Sequence, residues 1–195
     1  MEETKAAAEQ TARVWTRQHP AALRALEETG VYRANAAAVR KKNGAIADYY
    51  LDLYDWYIRR AERRVPRPLG TEYPIWLFLD RESRLPPVEN GVTLELEIPR
   101  RLIVVTDTER WGWRVNYLYV PRDAADLERH RRELERNGIV NETALIQTGK
   151  GNFYPLLRRE ITASWERMFE PPVSAAQGTV WELRREWLRG AECLV

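Results

Sequence analysis

The sequence predicts an α+β domain with two small sheets, mixed or antiparallel, that are flanked by helices. Helical stretches and short strand-like runs alternate irregularly, without the regular strand–helix–strand order that builds a parallel sheet. The length of 195 residues suits one domain. A hydrophobic content of 44% is enough for a buried core, and 31% charged residues indicate a well-solvated surface. We therefore expect one α+β domain over residues 13–195, preceded over residues 1–12 by a flexible or helical leader.

The first predicted elements are a strand, a sharp turn and a short helix. Residues 13–17 are typical of a short strand, and His19-Pro20 ends it, since proline suits the first turn of a helix. The helix that follows is expected to stop at Gly30, a residue type common just after a helix C-terminus. Residues 34–65 repeat apolar residues at three- and four-residue steps, which predicts two helices divided at Asn43-Gly44.

The middle and end of the chain are predicted to hold most of the strands and two more helices. The clearest strand is 92–98, where apolar residues alternate with Thr93, Glu95 and Glu97. Asp123 is the expected N-cap of a charged helix that stops near Gly138. A loop over 138–152 and a helix ending at Pro171-Pro172 follow. The other predicted strands are 73–79, 102–106, 115–120 and 177–183.

Composition excludes several classes of protein and site. No apolar run approaches the roughly 18 residues of a membrane span, and the N-terminus lacks the apolar region of a secretory signal. One cysteine, Cys193, excludes a disulfide framework, and two histidines cannot form a histidine-rich metal site. Neither GxGxxG nor GxxxxGK[ST] is present, so both common phosphate-binding loops are absent. We expect a cytoplasmic protein with no membrane partner and no metal site.

Five stretches between residues 13 and 188 resemble a bacterial domain family of unknown function. They are VWTRQHPAALRALEETGVYR, YPIWLFLD, TLELEIPRRLIVVTD, KGNFYPLLRREITASWERMF and QGTVWEL. The resemblance covers nearly the whole chain and implies no activity by itself.

The strand–turn–helix–glycine opening and the closing strand from Gln177 are also similar to the ADP-ribosyltransferase fold. Enzymes of that fold open with a strand bearing a catalytic His or Arg. Near the C-terminus they carry a strand that begins with a catalytic Glu. The similarity implies an ADP-ribosyltransferase-like domain that binds NAD, as a substrate, or a related nucleotide. It further implies transfer of ADP-ribose to a macromolecule or a small molecule.

This similarity assigns roles to seven residues. Arg17, Gln177 and Glu182 are implied in catalysis. Thr16, Gln18, Tyr73 and Trp76 are implied in holding the nucleotide, the two aromatic residues as a wall. The assignment requires the first strand and the closing strand to lie side by side.

Two departures from the pattern affect the implied chemistry. Thr16 stands in place of the usual His, and Gln177 in place of the usual Glu. A neutral amide cannot stabilise the positive charge that develops as nicotinamide leaves. Glu182 is the nearby carboxylate, but strand alternation puts it on the face opposite to Gln177. Two of the residues given a role also have a structural alternative. In that alternative, Trp76 simply belongs to the core, and Glu182 forms a surface pair with Arg184 or Arg185.

The alternative function is a non-catalytic binding protein of a bacterial defence or toxin–antitoxin system. The arginines within 59–67 and 129–132 would then contact nucleic acid or an acidic protein. A net charge of only +2 argues against strong sequence-independent binding of nucleic acid. The glycine-containing loop 148–152 is a further candidate for contact with an anion.

Overall fold

A computed structural model describes residues 10–173 and 175–193, except for the side chains of Ala38 and Lys42. The predicted leader over residues 1–12 lies largely outside the described residues, and the first strand begins at Thr11.

The described residues form short strands and helices in irregular order. The strands are β1 (Thr11–Gln18), β2 (Val31–Tyr32), β3 (Ile75–Phe78), β4 (Val92–Pro99), β5 (Val104–Asp107), β6 (Ala176–Val180), β7 (Leu183–Arg184) and β8 (Leu188–Cys193). The helices are α1 (Ala21–Thr29), α2 (Ala36–Asn43), α3 (Ala47–Ala61), α4 (Thr108–Val115), α5 (Ala124–Arg136), α6 (Ala144–Gln147) and α7 (Pro155–Ser164).

The strands form two antiparallel sheets. The larger has the order β5-β6-β3-β1-β4-β8, and β2 pairs with β7 in a second, two-stranded sheet. The longest pairing in the larger sheet joins β1 to β4, from Thr11 opposite Pro99 to Gln18 opposite Val92. The predicted α+β class with two sheets flanked by helices is confirmed.

One face of the larger sheet carries the core. Strand side chains alternate between faces, so the apolar residues at every second position of β1, β3 and β4 gather on one side. Val14, Leu77 and Leu94 are at most 1% exposed there. Helix α1 adds Leu26 to the same cluster. The alternation seen in the sequence of 92–98 is therefore the alternation between core and opposite face.

The predicted strand–turn–helix opening is confirmed. The imidazole Nδ1 of His19 accepts a hydrogen bond from the amide of Ala21, at 3.1 Å, as the chain turns into α1. Gly30 ends α1 in the left-handed region, at φ 79°, where a side chain would be strained. Its amide donates to the carbonyl of Leu26.

The predicted division of 34–65 is also confirmed, because a 3₁₀ turn, Gly44–Ile46, separates α2 from α3.

The predicted strand at 115–120 is wrong. Helix α4 extends to Val115, and Tyr117 then turns the chain at φ 58°. The amide of Tyr119 donates to the carboxylate of Glu142, and the amide of Val120 to the Ser164 hydroxyl at 2.9 Å. These amides bind side-chain acceptors, so the segment lies between helices without joining a sheet.

The predicted loop 138–152 and the predicted strand 177–183 also differ from the structure. The expected loop 138–152 contains helix α6. The expected strand 177–183 is interrupted after Val180, where the indole of Trp181 donates to the carbonyl of Val65 at 2.7 Å before β7 begins.

The chain divides into two compact units. The described residues up to Val105 and from Gln177 onward form the sheet unit, and those of Thr106–Ala176 form the helical unit. In the helical unit the core includes Leu145, Ile161 and Met168, none of them exposed. The single domain expected over 13–195 stays a prediction. Among the described residues, no helix combines the length and apolar character that crossing a bilayer requires.

Candidate functional site

The strands that carry the predicted site are neighbours, but in an unexpected order. Strand β3 lies between β1 and β6, so the expectation that the first and closing strands lie side by side is wrong. Strand β3 takes this position because Ile75 and Leu77 are apolar and buried, which suits a central strand. Trp15 of β1 lies opposite Phe78, and Phe78 lies opposite Gln177 of β6.

The pairing divides the predicted residues between two faces of the sheet. Arg17, Trp76 and Gln177 share the face of the Trp15–Phe78 pair, since residues two apart and residues directly opposite point the same way. Thr16 and Gln18 belong to the other face. The Thr16 hydroxyl donates to the carbonyl of Trp76 at 2.8 Å, and the Gln18 amide donates to Thr16 Oγ1 at 2.7 Å.

Helix α3 covers part of the face that holds Trp76. The rings of Tyr57 and Trp76 have centroids 5.0 Å apart, and the Tyr57 hydroxyl bonds to Thr179 Oγ1 at 2.9 Å. Tyr54 contacts both Trp76 and Tyr73, with each centroid distance 6.2 Å. Tyr73 and Trp76, the two aromatic residues predicted to form a wall, therefore both contact Tyr54.

The side chains of Arg17 and Gln177 have few polar contacts. Arg17 Nη1 donates to the carbonyl of Pro86 at 2.7 Å. The side-chain nitrogen of Gln177 is buried and has no hydrogen-bond partner in the described part of the chain.

The buried carboxylate of Glu182 forms ion pairs with two partly exposed arginines. It is 4% exposed, and its carboxylate oxygens contact Arg33 at 2.7 Å and Arg184 at 2.8 Å. Strand β6 has ended two residues earlier, at Val180. The alternative pairing with Arg184 is therefore present, although in a buried position and with Arg33 as a second partner.

A groove of about 450 Å³ lies beside Tyr73 and is here called the Tyr73 groove. Its walls come from helix α3 and the segment that leads to β3. The lining residues are Asp55, Ile58, Arg59, Glu62, Arg67, Thr71, Glu72 and Tyr73. Tyr73 is the one residue of the predicted site among them.

Three polar groups of the Tyr73 groove have no fixed partner. The Thr71 hydroxyl is buried, with the residue 6% exposed, and no hydrogen bond reaches it from the residues described. Asp55 and Arg59 lie one turn apart on α3, a spacing that favours an ion pair. Within residues 10–173 and 175–193, neither side chain forms an ion pair or a hydrogen bond.

The other charged groups of the groove are already engaged. Glu62 pairs with Arg67 at 3.4 Å, and the Glu72 carboxylate accepts the amide of Ala36 at 2.8 Å. Among the residues described, the groove therefore presents one carboxylate, one guanidinium and one buried hydroxyl without a hydrogen-bond or ion-pair partner.

The Tyr73 phenol stays protonated at neutral pH. Burial, and then the negative charges of Asp55 and Glu72, raise the pKa of Tyr73 above its ordinary value of 10.0, while Arg40 opposes the shift. The phenol can therefore donate a hydrogen bond to a ligand in the groove.

The arginine runs proposed as a nucleic-acid surface are partly neutralised. Arg129 contacts Asp126 at 2.9 Å and also pairs with Glu160, and Arg132 pairs with Glu128 at 3.1 Å. These contacts leave less positive charge for an anionic partner than the sequence suggested.

Asp55, Arg59 and Thr71 were not predicted as site residues. The four-residue spacing of Asp55 and Arg59 on a helix could be read from the sequence, but it is typical of an ordinary surface ion pair. No sequence pattern marks the Thr71 hydroxyl, because its burial depends on the turn that brings the chain back along α3.

A family model matches most of the chain. A family model described as Domain of unknown function (DUF3841) matches residues 13–189, which confirms the resemblance to a domain family of unknown function. No curated protein and no solved structure matches the chain. The similarity to the ADP-ribosyltransferase fold stays a prediction.

Proposed function

We propose that this chain, which belongs to the family described as Domain of unknown function (DUF3841), binds NAD or a related nucleotide in the Tyr73 groove. The volume of about 450 Å³ lies within the range of small-molecule sites. The observation that carries the proposal is the set of free polar groups there, namely Asp55, Arg59 and the Thr71 hydroxyl.

Each free group suits one part of a nucleotide. The Arg59 guanidinium suits a phosphate, because its fork of N–H donors matches the phosphate oxygens. The Asp55 carboxylate is an acceptor for ribose hydroxyls. The Tyr73 ring offers a flat face to a base, and the Thr71 hydroxyl gains a hydrogen bond that it lacks in the free protein.

Transfer of ADP-ribose is outside this proposal. The similarity assigns stabilisation of the developing positive charge to Gln177 or Glu182, and neither residue lines the Tyr73 groove. In the proposed complex the Asp55 carboxylate is engaged by the ribose hydroxyls. Gln177 is neutral, and the Glu182 carboxylate is engaged by two guanidinium groups. We therefore propose binding without turnover, so that incubation with the protein leaves NAD intact.

The first test is calorimetric titration of the protein with NAD, ADP-ribose and AMP. Arg59→Gln should weaken binding about tenfold or more, since hydrogen bonds to charged groups contribute about 1.5–3 kcal/mol. Arg63→Gln, which removes an equal charge just beyond the end of α3 and outside the groove, should leave binding unchanged. Absence of heat with all three nucleotides, or an equal effect of both variants, would contradict the proposal.

The second test separates binding from folding at Thr71. Thr71→Val removes a buried hydroxyl that has no partner in the described part of the chain, so the melting temperature should stay the same or rise. The same variant should weaken nucleotide binding, and Thr71→Ser should retain it. A fall in stability with unchanged affinity would show that the hydroxyl serves the fold.

A further inference from the structure

A second groove, of about 370 Å³, lies in the helical unit and is here called the Arg158 groove. It forms where the 3₁₀ turn Gly149–Asn152 meets the first turns of α7. The residues that line it are Gly151, Asn152, Pro155, Arg158, Arg159 and Thr162. None of them belongs to the Tyr73 groove.

The Arg158 groove keeps its positive charge. Arg158 Nη1 donates to the side-chain oxygen of Asn152 at 3.1 Å, a neutral partner. In the part of the chain that the structure describes, no carboxylate pairs with Arg158, Arg159 or the adjacent Lys150. Arg129 and Arg132 of the same unit are paired with carboxylates. An anion is therefore the ligand that this groove favours.

Exposed apolar side chains accompany these cations. Phe153 is 82% exposed and Leu156 is 79% exposed, although both belong to the segment that forms the groove. Exposing a phenyl ring to water is unfavourable, and a partner with a flat face would remove that cost.

Gly151 fixes the shape of the turn. It is buried, and a Cβ at this position would collide with the carbonyl oxygen of Leu145 and lie 2.9 Å from Arg158 Cδ. The absence of a side chain lets the turn pack against α6 and leaves room for the Arg158 stem. The turn that precedes Phe153 and Arg158 is therefore packed closely against α6.

We propose that the Arg158 groove binds single-stranded nucleic acid. Arg158, Arg159 and Lys150 contact phosphates, and one base stacks on Phe153. Proteins bind single strands in this way, with a positively charged groove for the backbone and aromatic side chains for the bases.

A duplex keeps its bases stacked and so does not offer a free base to Phe153. A bilayer is flat, whereas Arg158 and Arg159 line a concave surface. The inference is independent of nucleotide binding in the Tyr73 groove.

The test is fluorescence anisotropy of the full chain with labelled single-stranded RNA and DNA of about 12 nucleotides, within the usual site size. Wild-type binding should weaken steeply as salt rises. The double variant Arg158→Gln/Arg159→Gln should lose about tenfold or more in affinity and show a smaller salt slope. Phe153→Ala should lose about tenfold with little change in the salt slope, because stacking releases no counterions.

Matched controls lie elsewhere in the same unit. Arg122→Gln/Arg131→Gln removes two exposed arginines outside the groove, and Val140→Ala trims an apolar residue that is 100% exposed. Both should bind like the wild type. The proposal is overturned if the single strands do not bind, if the control double variant loses as much affinity, if a duplex binds equally well, or if only anionic lipid vesicles are bound.

Discussion

The Glu182 carboxylate shows how a residue resembling a catalytic group can serve the fold. Two arginines form ion pairs with it, and Glu182 itself is only 4% exposed. Arg33 precedes α2 and Arg184 lies in β7, so the cluster ties the two-stranded sheet to the end of β6. A carboxylate engaged in this way is not available to a reacting sugar.

We expect Glu182→Gln to lower the free energy of unfolding by about 1.5–3 kcal/mol, the contribution of hydrogen bonds to a charged group. Urea denaturation measures this change. Glu186→Gln is the matched control, because Glu186 lies 3.8 Å from the same Arg184 but its side chain is 69% exposed. The control should change stability by less than about 0.5 kcal/mol. Unchanged stability of Glu182→Gln together with loss of nucleotide binding would show instead that Glu182 contacts the ligand.

At the scale of elements, the Asp126 carboxylate links helix α5 to other parts of the helical unit through hydrogen bonds. It accepts both a hydrogen bond from the Tyr119 hydroxyl, at 2.8 Å, and one from Arg167, at 3.0 Å. Burial disfavours the charged form of the Asp126 carboxyl and by itself would raise its pKa. Hydrogen bonds from the Arg122 amide, Tyr119 and Arg129, together with the Arg167 charge, nevertheless hold the pKa of Asp126 well below its ordinary value of 3.8.

The lowered pKa of Asp126 predicts a loss of stability in acid. An unfolded Asp titrates near pH 3.9, so its contribution is complete above about pH 4 and is lost as the pH falls below that value. We expect Asp126→Asn to lower the free energy of unfolding at pH 7 by about 2 kcal/mol. The difference from the wild type should shrink as the pH falls below 4. Denaturation by urea between pH 2 and 7 measures both effects.

Asp123→Asn is the control on the same helix. Asp123 caps α5 by accepting the amide of Asp126 at 2.8 Å, and Asn caps helices equally well. Its stability at pH 7 should match the wild type. If Asp126→Asn had an undiminished effect at pH 2, the stabilising group would not be the ionised carboxylate.

Local patterns explain which elements could be predicted from the sequence. Gly30 and Asp123 mark helix ends through their own chemistry, and both positions are confirmed. The segment 115–120 looks like a strand because it is apolar and aromatic. Its amides, however, bind Glu142 and Ser164, which are distant in sequence. Long-range acceptors of this kind leave no local signal.

The candidate site was less predictable for the same reason. Tyr73 was predicted from the similarity and lines a groove. The pairing of Glu182 with Arg33 spans 149 positions, and the order that puts β3 between β1 and β6 depends on sheet register. Alternation along a strand gives the face of each residue, but it does not give the neighbouring strand.

At the scale of the whole molecule, a net charge of +2 conceals an uneven distribution of free charge. The Tyr73 groove offers Asp55 and Arg59, which together are neutral, whereas the Arg158 groove offers the two cations Arg158 and Arg159. The first suits a small ligand with both donors and acceptors, and the second suits a polyanion. The two grooves belong to different compact units, and therefore predict two ligands for one chain.

The two grooves share no lining residue, which predicts that their variants act independently. Arg59→Gln should weaken NAD binding and leave the oligonucleotide affinity unchanged, and Arg158→Gln/Arg159→Gln should do the reverse. Mutations without shared partners are usually additive, so the triple variant should show both losses at their separate sizes. Calorimetry with NAD and anisotropy with the oligonucleotide, run on the same four proteins, measure this. Loss of both ligands in either variant would contradict two separate sites.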